Sequence, residues 1–293
     1  MSKKAYRQVM VGTDFSDSSE RAVAVAKRVA QRLGGHVTVV HVYKPGPFYQ
    51  GIFPGSSDEL EERIAETAQK ELDALAARSL SGVSADVVAV SSRSAADAFC
   101  DEAARLNADL CVVGTHGRAG VERFFIGSVA EKIVRHAPCD VLTVPPDAEA
   151  PVPFVDRVLL ATDFSDTAMK AAEAASSIAV EGTEFLCVHV FDDSIPVVLP
   201  SGGFESTAQT SERLARELEN WQSQVFGSER SVRGEIIAGG NADAALTQRA
   251  SEWKAELIVV GSRGRSAVAH LLIGSVAERT IRHAPCAVLC VRG

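Results

Sequence analysis

The sequence of 293 residues lacks features that mark several common functional classes. No apolar run reaches the roughly 18 residues that a membrane-spanning helix needs, and no signal-peptide apolar region follows the first residues. Basic residues are too few to cover a nucleic-acid backbone, because 30 Lys and Arg stand against 38 Asp and Glu, a formal net charge of -8. These absences predict a cytoplasmic protein with neither a membrane nor a nucleic acid as partner.

Cysteine is present but in no pattern that binds a metal or builds a disulfide framework. The six cysteines contain no CxxC pair and are scattered through apolar segments. Even on one face of a strand, Cys286 and Cys290 would lie too far apart for both to bind one ion. We therefore expect reduced cysteines that act as small buried apolar residues, and no metal site.

Two nucleotide-binding motifs are also missing. The chain contains no GxxxxGK[ST] sequence, which excludes a P-loop NTPase. It contains no GxGxxG sequence, which argues against a dinucleotide-dependent enzyme.

What the sequence does contain is an internal repeat. Residues 108–144 align with residues 255–291 without a gap, and 22 of the 37 positions are identical. The segment VMVGTDFSDSSE at 9–20 likewise matches VLLATDFSDTAM at 158–169. A Pro-rich stretch at 145–153 lies between the halves, as in an interdomain linker. The repeat predicts two tandem domains, residues 1–146 and 152–293.

Short apolar runs alternate with amphipathic helical patterns in each half. The first half predicts strands near 9–11, 37–42, 86–90, 110–113 and 141–144, and the second near 158–161, 185–190, 232–237, 257–260 and 287–291. Continuous apolar strands separated by helices are typical of an α/β fold, a parallel sheet with helices on both faces. Ligands of such sheets bind outside the carboxyl ends of the strands. The long segments after the second strands are candidates for lids or for loops without a fixed role.

A glycine pattern follows the fourth predicted strand of each half. Gly114-Thr115-His116-Gly117 is followed after nine residues by Gly127-Ser128, and the same spacing joins Gly261, Gly264 and Gly274-Ser275. The Gly-Ser pair begins a helix, whose N–H groups and positive dipole end favour a phosphate, and the hydroxyl can either cap the helix or donate to phosphate. A tight turn with an N-cap is the alternative, but two copies favour nucleotide binding.

Charged residues accompany both copies. Arg118 and Arg265 follow the second glycine, where they either reach phosphate oxygens or remain solvated. Asp14 and Asp163 end the first strands, where a carboxylate can accept hydrogen bonds from ribose hydroxyls. The alternative role, a helix cap, suits the following Ser16 or Asp17 better, which leaves both strand-end aspartates for a ligand. His116 aligns with Arg263, so no catalytic imidazole is common to both halves.

With these motifs the chain resembles a tandem universal stress protein of the UspA superfamily, over about residues 5–292. Thr-Asp-Phe-Ser at the first strand ends and the closing His-Ala-Pro-Cys segments are typical of that family. The resemblance implies a five-stranded parallel sheet of order 3-2-1-4-5 in each half. It also implies that the fifth strands, 141–144 and 287–291, pair within one chain as a pseudo-dimer. A homodimer beyond that and the protein partner stay open.

The resemblance to the ATP-binding branch also implies the site residues, with adenine and ribose at the first two strands and the triphosphate on the glycine pattern. In the first half these are Gly12, Thr13, Asp14, Val42, Gly114, Gly117, Arg118, Gly127, Ser128 and Val129. In the second they are Ala161, Thr162, Asp163, Val190, Gly261, Gly264, Arg265, Gly274, Ser275 and Val276. Gly12 and Ala161 depart from the Pro that some ATP-binding members have.

The expected function is therefore a stress-response module regulated by ATP, bound together with Mg²⁺ on the phosphates. Two alternatives remain. The first is a slow ATPase or a protein that phosphorylates itself, although no general base is common to both halves and no catalytic residue is assigned. The second is an interaction scaffold that binds no nucleotide. Spacing alone does not distinguish ATP from ADP, AMP or a cyclic nucleotide.

Overall fold

The computed structural model describes residues 6–44, 56–115, 126–146, 156–194, 197–198, 203–227, 232–264 and 273–293. The chain divides into two compact units, Ala5–Pro146 and Asp147–Gly293. Strands and helices alternate in both, as the sequence predicts. No helix in the part of the chain that the structure describes is both long and apolar enough to cross a bilayer.

The first unit begins with a strand and ends with one. Its elements are β1 (Gln8–Gly12), α1 (Asp17–Leu33), β2 (His36–Tyr43), α2 (Ser56–Ser79), β3 (Ser84–Ser91), α3 (Ala95–Arg105), β4 (Leu110–Gly114), α4 (Ser128–His136) and β5 (Asp140–Val144). The strands are parallel and lie in the order β3-β2-β1-β4-β5. This is the 3-2-1-4-5 order that the family resemblance implies.

The second unit repeats the arrangement. Its elements are β6 (Arg157–Ala161), α5 (Asp166–Ile178), β7 (Glu184–Phe191), β8 (Val197–Val198), β9 (Phe204–Glu205), α6 (Thr207–Phe226), β10 (Val232–Ala238), α7 (Ala242–Trp253), β11 (Leu257–Gly261), α8 (Ser275–His283) and β12 (Ala287–Val291). Its parallel strands follow the order β10-β7-β6-β11-β12. The predicted fold class is confirmed in both units.

The long connection after β7, a candidate lid or loop without a fixed role in the sequence analysis, contains two short strands. Within it β8 and β9 pair antiparallel, with Val197 opposite Glu205 and Val198 opposite Phe204. The corresponding segment of the first unit, 45–55, lies outside the described residues.

Burial explains why these segments form strands and helices. Every residue of β5 and β12 is buried, and the middle residues of β1 and β6 are buried as well. Strands with no exposed residues need cover on both faces of the sheet. Helix α1 supplies part of that cover with the buried side chains of Ala22, Val23, Ala26 and Val29, at the three- and four-residue spacing of one helix face.

The strand order determines where a ligand can bind. In the first unit the chain moves from β1 through β2 to β3, and then returns to the other side of β1 to form β4. Right-handed crossovers in opposite directions place α1 and α2 on one face and α3 and α4 on the other. The connections therefore diverge at the carboxyl ends of β1 and β4, and a crevice opens there. Strands β6 and β11 form the same switch point in the second unit.

Candidate functional site

The segment after β1 forms a tight turn that is repeated after β6. The backbone N–H of Thr13 donates to the carbonyl of Val40 at 2.9 Å, so the pairing with β2 continues beyond the last residue of β1. Phe15 then takes a left-handed conformation with φ of 61°, and its counterpart Phe164 has φ of 62°. A bulky residue in this region is strained. The same strain at the same place in both units indicates a conformation that the surrounding structure holds.

Helix capping confirms one prediction about this turn. Ser16 is the N-cap of α1, and its hydroxyl accepts a hydrogen bond from the N–H of Ser19. Ser165 caps α5 in the same way, through the N–H of Ala168 at 3.2 Å. The strand-end aspartates are therefore not the caps of these helices.

Each strand-end aspartate instead stabilises its own turn with one carboxylate oxygen. Asp14 Oδ1 accepts from the N–H of Ser16 at 3.1 Å, and Asp163 Oδ1 accepts from that of Ser165, also at 3.1 Å. The second oxygen of Asp163 faces the glycine pattern, because a Cβ on Gly264 would lie 2.6 Å from Oδ2. The end of β6 and the segment after β11 are therefore in contact within the second unit.

A histidine from the neighbouring strand supports the turn in both units. The His41 Nδ1 atom lies 2.7 Å from the carbonyl oxygen of Thr13, and His189 Nδ1 lies 2.8 Å from that of Thr162. A carbonyl oxygen only accepts, so Nδ1 must carry the proton. In the sequence analysis, no site role is assigned to these two imidazoles. The repetition of His-Val and Asp-Phe in both halves was the available signal.

The imidazoles also contact the strained phenylalanines. The His41 and Phe15 ring centroids are 4.5 Å apart, as are those of His189 and Phe164. Each histidine thus holds the strand-end turn through a hydrogen bond and a ring contact.

The glycines that end β4 and β11 have a structural reason to be glycine. A Cβ on Gly114 would lie 2.6 Å from the Ser18 hydroxyl and 3.0 Å from the Ser18 backbone. A Cβ on Gly261 would lie 2.8 Å from Cγ2 of Thr167. The first turns of α1 and α5 therefore pack directly against these strand ends, so the close approach at these glycines is to a helix of the protein itself.

The glycines before α4 and α8 close the connecting segments. The N–H of Gly127 donates to the carbonyl of Thr115 at 2.6 Å, and that of Gly274 donates to Ser262 at 2.7 Å. Because these two N–H groups are used internally, a ligand would meet the N–H groups of the following helical residues. Gly117, Arg118 and Arg265 lie outside the described residues.

Among the described residues, α4 and α8 have no N-cap side chain that hydrogen-bonds to the helix. Gly127 and Gly274 occupy the N-cap positions and provide no side-chain hydrogen bond, in contrast to the serines that cap α1 and α5. The first N–H groups of a helix have no intrahelical acceptor and carry a partial positive charge. Ser128 and Ser275 are exposed next to them. Both helix starts can therefore bind an anion.

Apolar surface accompanies these helix starts. Val129 is 46% exposed and Val276 is 39% exposed, although both follow directly on the N-terminal serine. The half-buried Val42 and Val190 are paired with the edge strands near the carboxyl ends of β2 and β7. Gly12 and Ala161 are the last residues of β1 and β6, and a Cβ on Gly12 would lie 3.1 Å from the Phe99 ring.

One buried hydroxyl in the glycine pattern has no partner among the described residues. Ser262 is fully buried between Gly261 and Arg263, and its Oγ makes no hydrogen bond there. A buried hydroxyl without a partner is costly, and water or a ligand commonly satisfies it. The predicted site residues that the structure describes thus lie at the carboxyl ends of strands and at the N-termini of α4 and α8 in each unit.

Comparisons with known proteins identify the family and the fold of the chain. The model of the universal stress protein family matches residues 5–145 and 155–292. The chain is 28% identical to a universal stress protein of Mycobacterium tuberculosis, over 97% of this chain and 96% of the relative. A universal stress protein structure from Archaeoglobus fulgidus superposes with a TM-score of 0.68 at 23% identity, covering 98% of this chain and 97% of that one. A universal stress protein solved in complex with cAMP covers 49% of this chain and 99% of its own, with 29% identity and a TM-score of 0.36.

Proposed function

Because the chain belongs to the universal stress protein family, we propose that each half binds an adenine nucleotide and that ATP occupancy regulates a stress-response function. The observation that carries the proposal is a duplicated arrangement. In both units an uncapped helix N-terminus follows the glycine-ended central strand, and a strand-end aspartate flanks the same crevice. Two copies of this pattern in one chain favour a ligand over an incidental turn.

The positions of these residues suggest which part of the nucleotide each of them would contact. The backbone at the end of β2 and β7, with Val42 and Val190, would contact the adenine. The carboxylates of Asp14 and Asp163 would accept hydrogen bonds from the ribose hydroxyls, because one oxygen of each already holds the turn and orients the other. The helix N-termini of α4 and α8 would hold the phosphates.

The residues present fit such a ligand in three further respects. The exposed Val129 and Val276 offer apolar contact next to the phosphate-binding N–H groups. The Ser262 hydroxyl can donate a hydrogen bond to a ligand oxygen. Gly264 leaves space beside Asp163 that a side chain would fill. A nucleotide bound there would bring negatively charged phosphates to the N-termini of α4 and α8.

Metal binding would have to come mainly from the ligand. The described residues contain no group of three or more His, Cys, Asp or Glu side chains that could hold an ion. We propose that Mg²⁺ enters with the triphosphate, as it does at sites that use one or two protein ligands and substrate phosphates. Arg118 and Arg265 remain proposed phosphate ligands.

The test is extraction of the purified full-length protein under denaturing conditions, with chromatography and mass spectrometry of the released nucleotides. Titration of nucleotide-stripped protein with ATP, ADP, AMP and cAMP in parallel then ranks the ligands. We expect about two ATP per chain, and Gly127→Val and Gly274→Val should each remove one. ADP in place of ATP would support slow hydrolysis. No released nucleotide together with no binding of any of the four would overturn the proposal and leave an interaction scaffold.

Location and assembly belong to the same proposal. We propose that the module acts in the cytoplasm. Light scattering of the purified protein with and without ATP measures whether two chains then associate.

A further inference from the structure

Two cysteine thiols of the first unit lie in contact near the amino ends of β4 and β5, at the other end of these strands from the candidate site. Cys111 is the second residue of β4, and Cys139 directly precedes β5. Their Sγ atoms are 3.5 Å apart. Cys111 is fully buried, whereas Cys139 is 9% exposed. Neither forms a disulfide in the structure.

The second unit has only half of this pair. The position that matches Cys139 is Cys286, but the position that matches Cys111 is Ile258. Cys286 has the same place between the last helix and the last strand, and burial raises the pKa of its thiol to about 12. The chain therefore contains a matched internal control, a lone thiol in the same setting.

We propose that Cys111 and Cys139 are a redox modification site, which hydrogen peroxide converts into an intramolecular disulfide. The proposal is independent of nucleotide binding. It rests on the contact between the two sulfurs and on the absence of the second sulfur from the repeated unit.

The chemistry balances with peroxide as the oxidant. The Cys139 sulfur, which is the more exposed of the two, attacks one peroxide oxygen, the O–O bond breaks, and a sulfenic acid and one water form. The Cys111 sulfur then attacks the Cys139 sulfur, the S–O bond breaks, and the departing hydroxide takes up the Cys111 proton as a second water. Both thiols are oxidised by one electron each, and one peroxide is reduced to two waters.

The geometry favours the second step over further oxidation. A disulfide bond is about 2.05 Å long, so the sulfurs must approach from 3.5 Å. Cys111 is fixed in the sheet, but Cys139 lies in the short segment 137–139 between α4 and β5, which is not part of either element. A thiol already in contact with the sulfenic acid reacts at a high effective concentration. The new bond ties β4 to the segment 137–139, directly before β5.

The experiment treats the reduced full-length protein with a molar excess of hydrogen peroxide, stops the reaction with catalase, and alkylates the remaining thiols in denaturant. We expect alkylation at four of the six cysteines. Trypsin should release the peptides 106–118 and 136–157 joined by a disulfide, at the sum of their masses minus two hydrogen atoms.

Two variants make the assignment specific. Cys111→Ile copies the second unit and should leave Cys139 without a partner, so that the linked peptide disappears. Cys286→Ala should leave the linked peptide unchanged. Recovery of both wild-type peptides in alkylated form, or of either peptide joined to another cysteine, would overturn the proposal. Because the wild-type protein gives this readout alone, it does not depend on the folding of a variant.

Discussion

The substitution Asp163→Asn separates the structural role of this side chain from its proposed ligand role. Asp163 Oδ1 accepts a hydrogen bond from the N–H of Ser165 at 3.1 Å, and an asparagine carbonyl oxygen can accept the same bond. This bond orients the side chain, so the amide nitrogen takes the place of Oδ2 next to Gly264. The turn is retained, but the proposed acceptor for the ribose hydroxyls becomes a donor.

The expected effect on affinity follows from the loss of a charged acceptor. Hydrogen bonds to charged groups contribute about 1.5–3 kcal/mol, which corresponds to a roughly 10- to 160-fold weaker ATP affinity at that site. The free energy of unfolding should change by less than about 0.5 kcal/mol, because the turn keeps its hydrogen bond. Isothermal titration calorimetry measures the affinity of each site, and chemical denaturation measures the stability.

Two variants serve as controls. Asp14→Asn should weaken the other site by a similar factor, because Asp14 Oδ1 accepts from Ser16 in the same geometry. Asp109→Asn makes the same chemical change at the opposite edge of the sheet, where Asp109 Oδ2 accepts from the N–H of Arg7 at 2.8 Å, and ATP affinity should not change. If both strand-end variants bind ATP as the wild type does while remaining folded, the assignment of these carboxylates to ribose is refuted.

Three further predictions concern stability, and chemical denaturation measures each. His189→Ala removes the hydrogen bond and ring contact that hold the strained turn and should cost about 1–3 kcal/mol; an unchanged midpoint would contradict this role. Gly261→Ala should destabilise the fold by at least about 1 kcal/mol more than Gly274→Ala. The new Cβ at Gly261 would lie 2.8 Å from Cγ2 of Thr167, whereas that at Gly274 would lie 3.5 Å from the Ser262 carbonyl oxygen. Equal losses of stability would contradict this packing argument. Tyr6 donates to the buried Asp140 at 2.6 Å, so Tyr6→Phe should cost about 1–3 kcal/mol. Burial and the Asp140 carboxylate raise the pKa of Tyr6, so wild-type stability should fall as the pH rises above about 10, and this loss should be smaller in the variant.

The fold could be predicted because its signals are local and occur twice. The apolar runs that form strands, such as β4, are short and continuous. The serines before α1 and α5 cap these helices, as the sequence predicts. The strand order could not be predicted in this way, because the periodicity of apolar residues does not specify which strands are neighbours. It came from the family resemblance, and the structure confirms it in both units.

The candidate site was predicted less completely, because its supporting contacts join residues that are distant in the sequence. The bond between His41 and Thr13 crosses 28 positions, and the contact of Gly114 with Ser18 depends on how α1 packs on the sheet. The residue types at these positions do not indicate which distant residues they contact. In the sequence analysis the triphosphate was placed on the glycine pattern, and the structure shows in addition that a helix start packs directly against Gly114 and Gly261. The proposal of nucleotide binding therefore rests on the N-termini of α4 and α8 and on the strand-end aspartates.

The 3.5 Å contact between Cys111 and Cys139 was also invisible in the sequence. The two residues are 28 positions apart, and no CxxC spacing indicates a pair. Only the sheet, which places β4 next to β5, brings them together.

The most direct test of the central claim is the number of nucleotides that each purified chain carries. Denaturing extraction followed by mass spectrometry and protein quantification gives this number without any assumption about activity. The account predicts about two adenine nucleotides per chain, one for each glycine-capped helix N-terminus, and the loss of one in each of Gly127→Val and Gly274→Val. A chain that carries none and also fails to bind added ATP would contradict it.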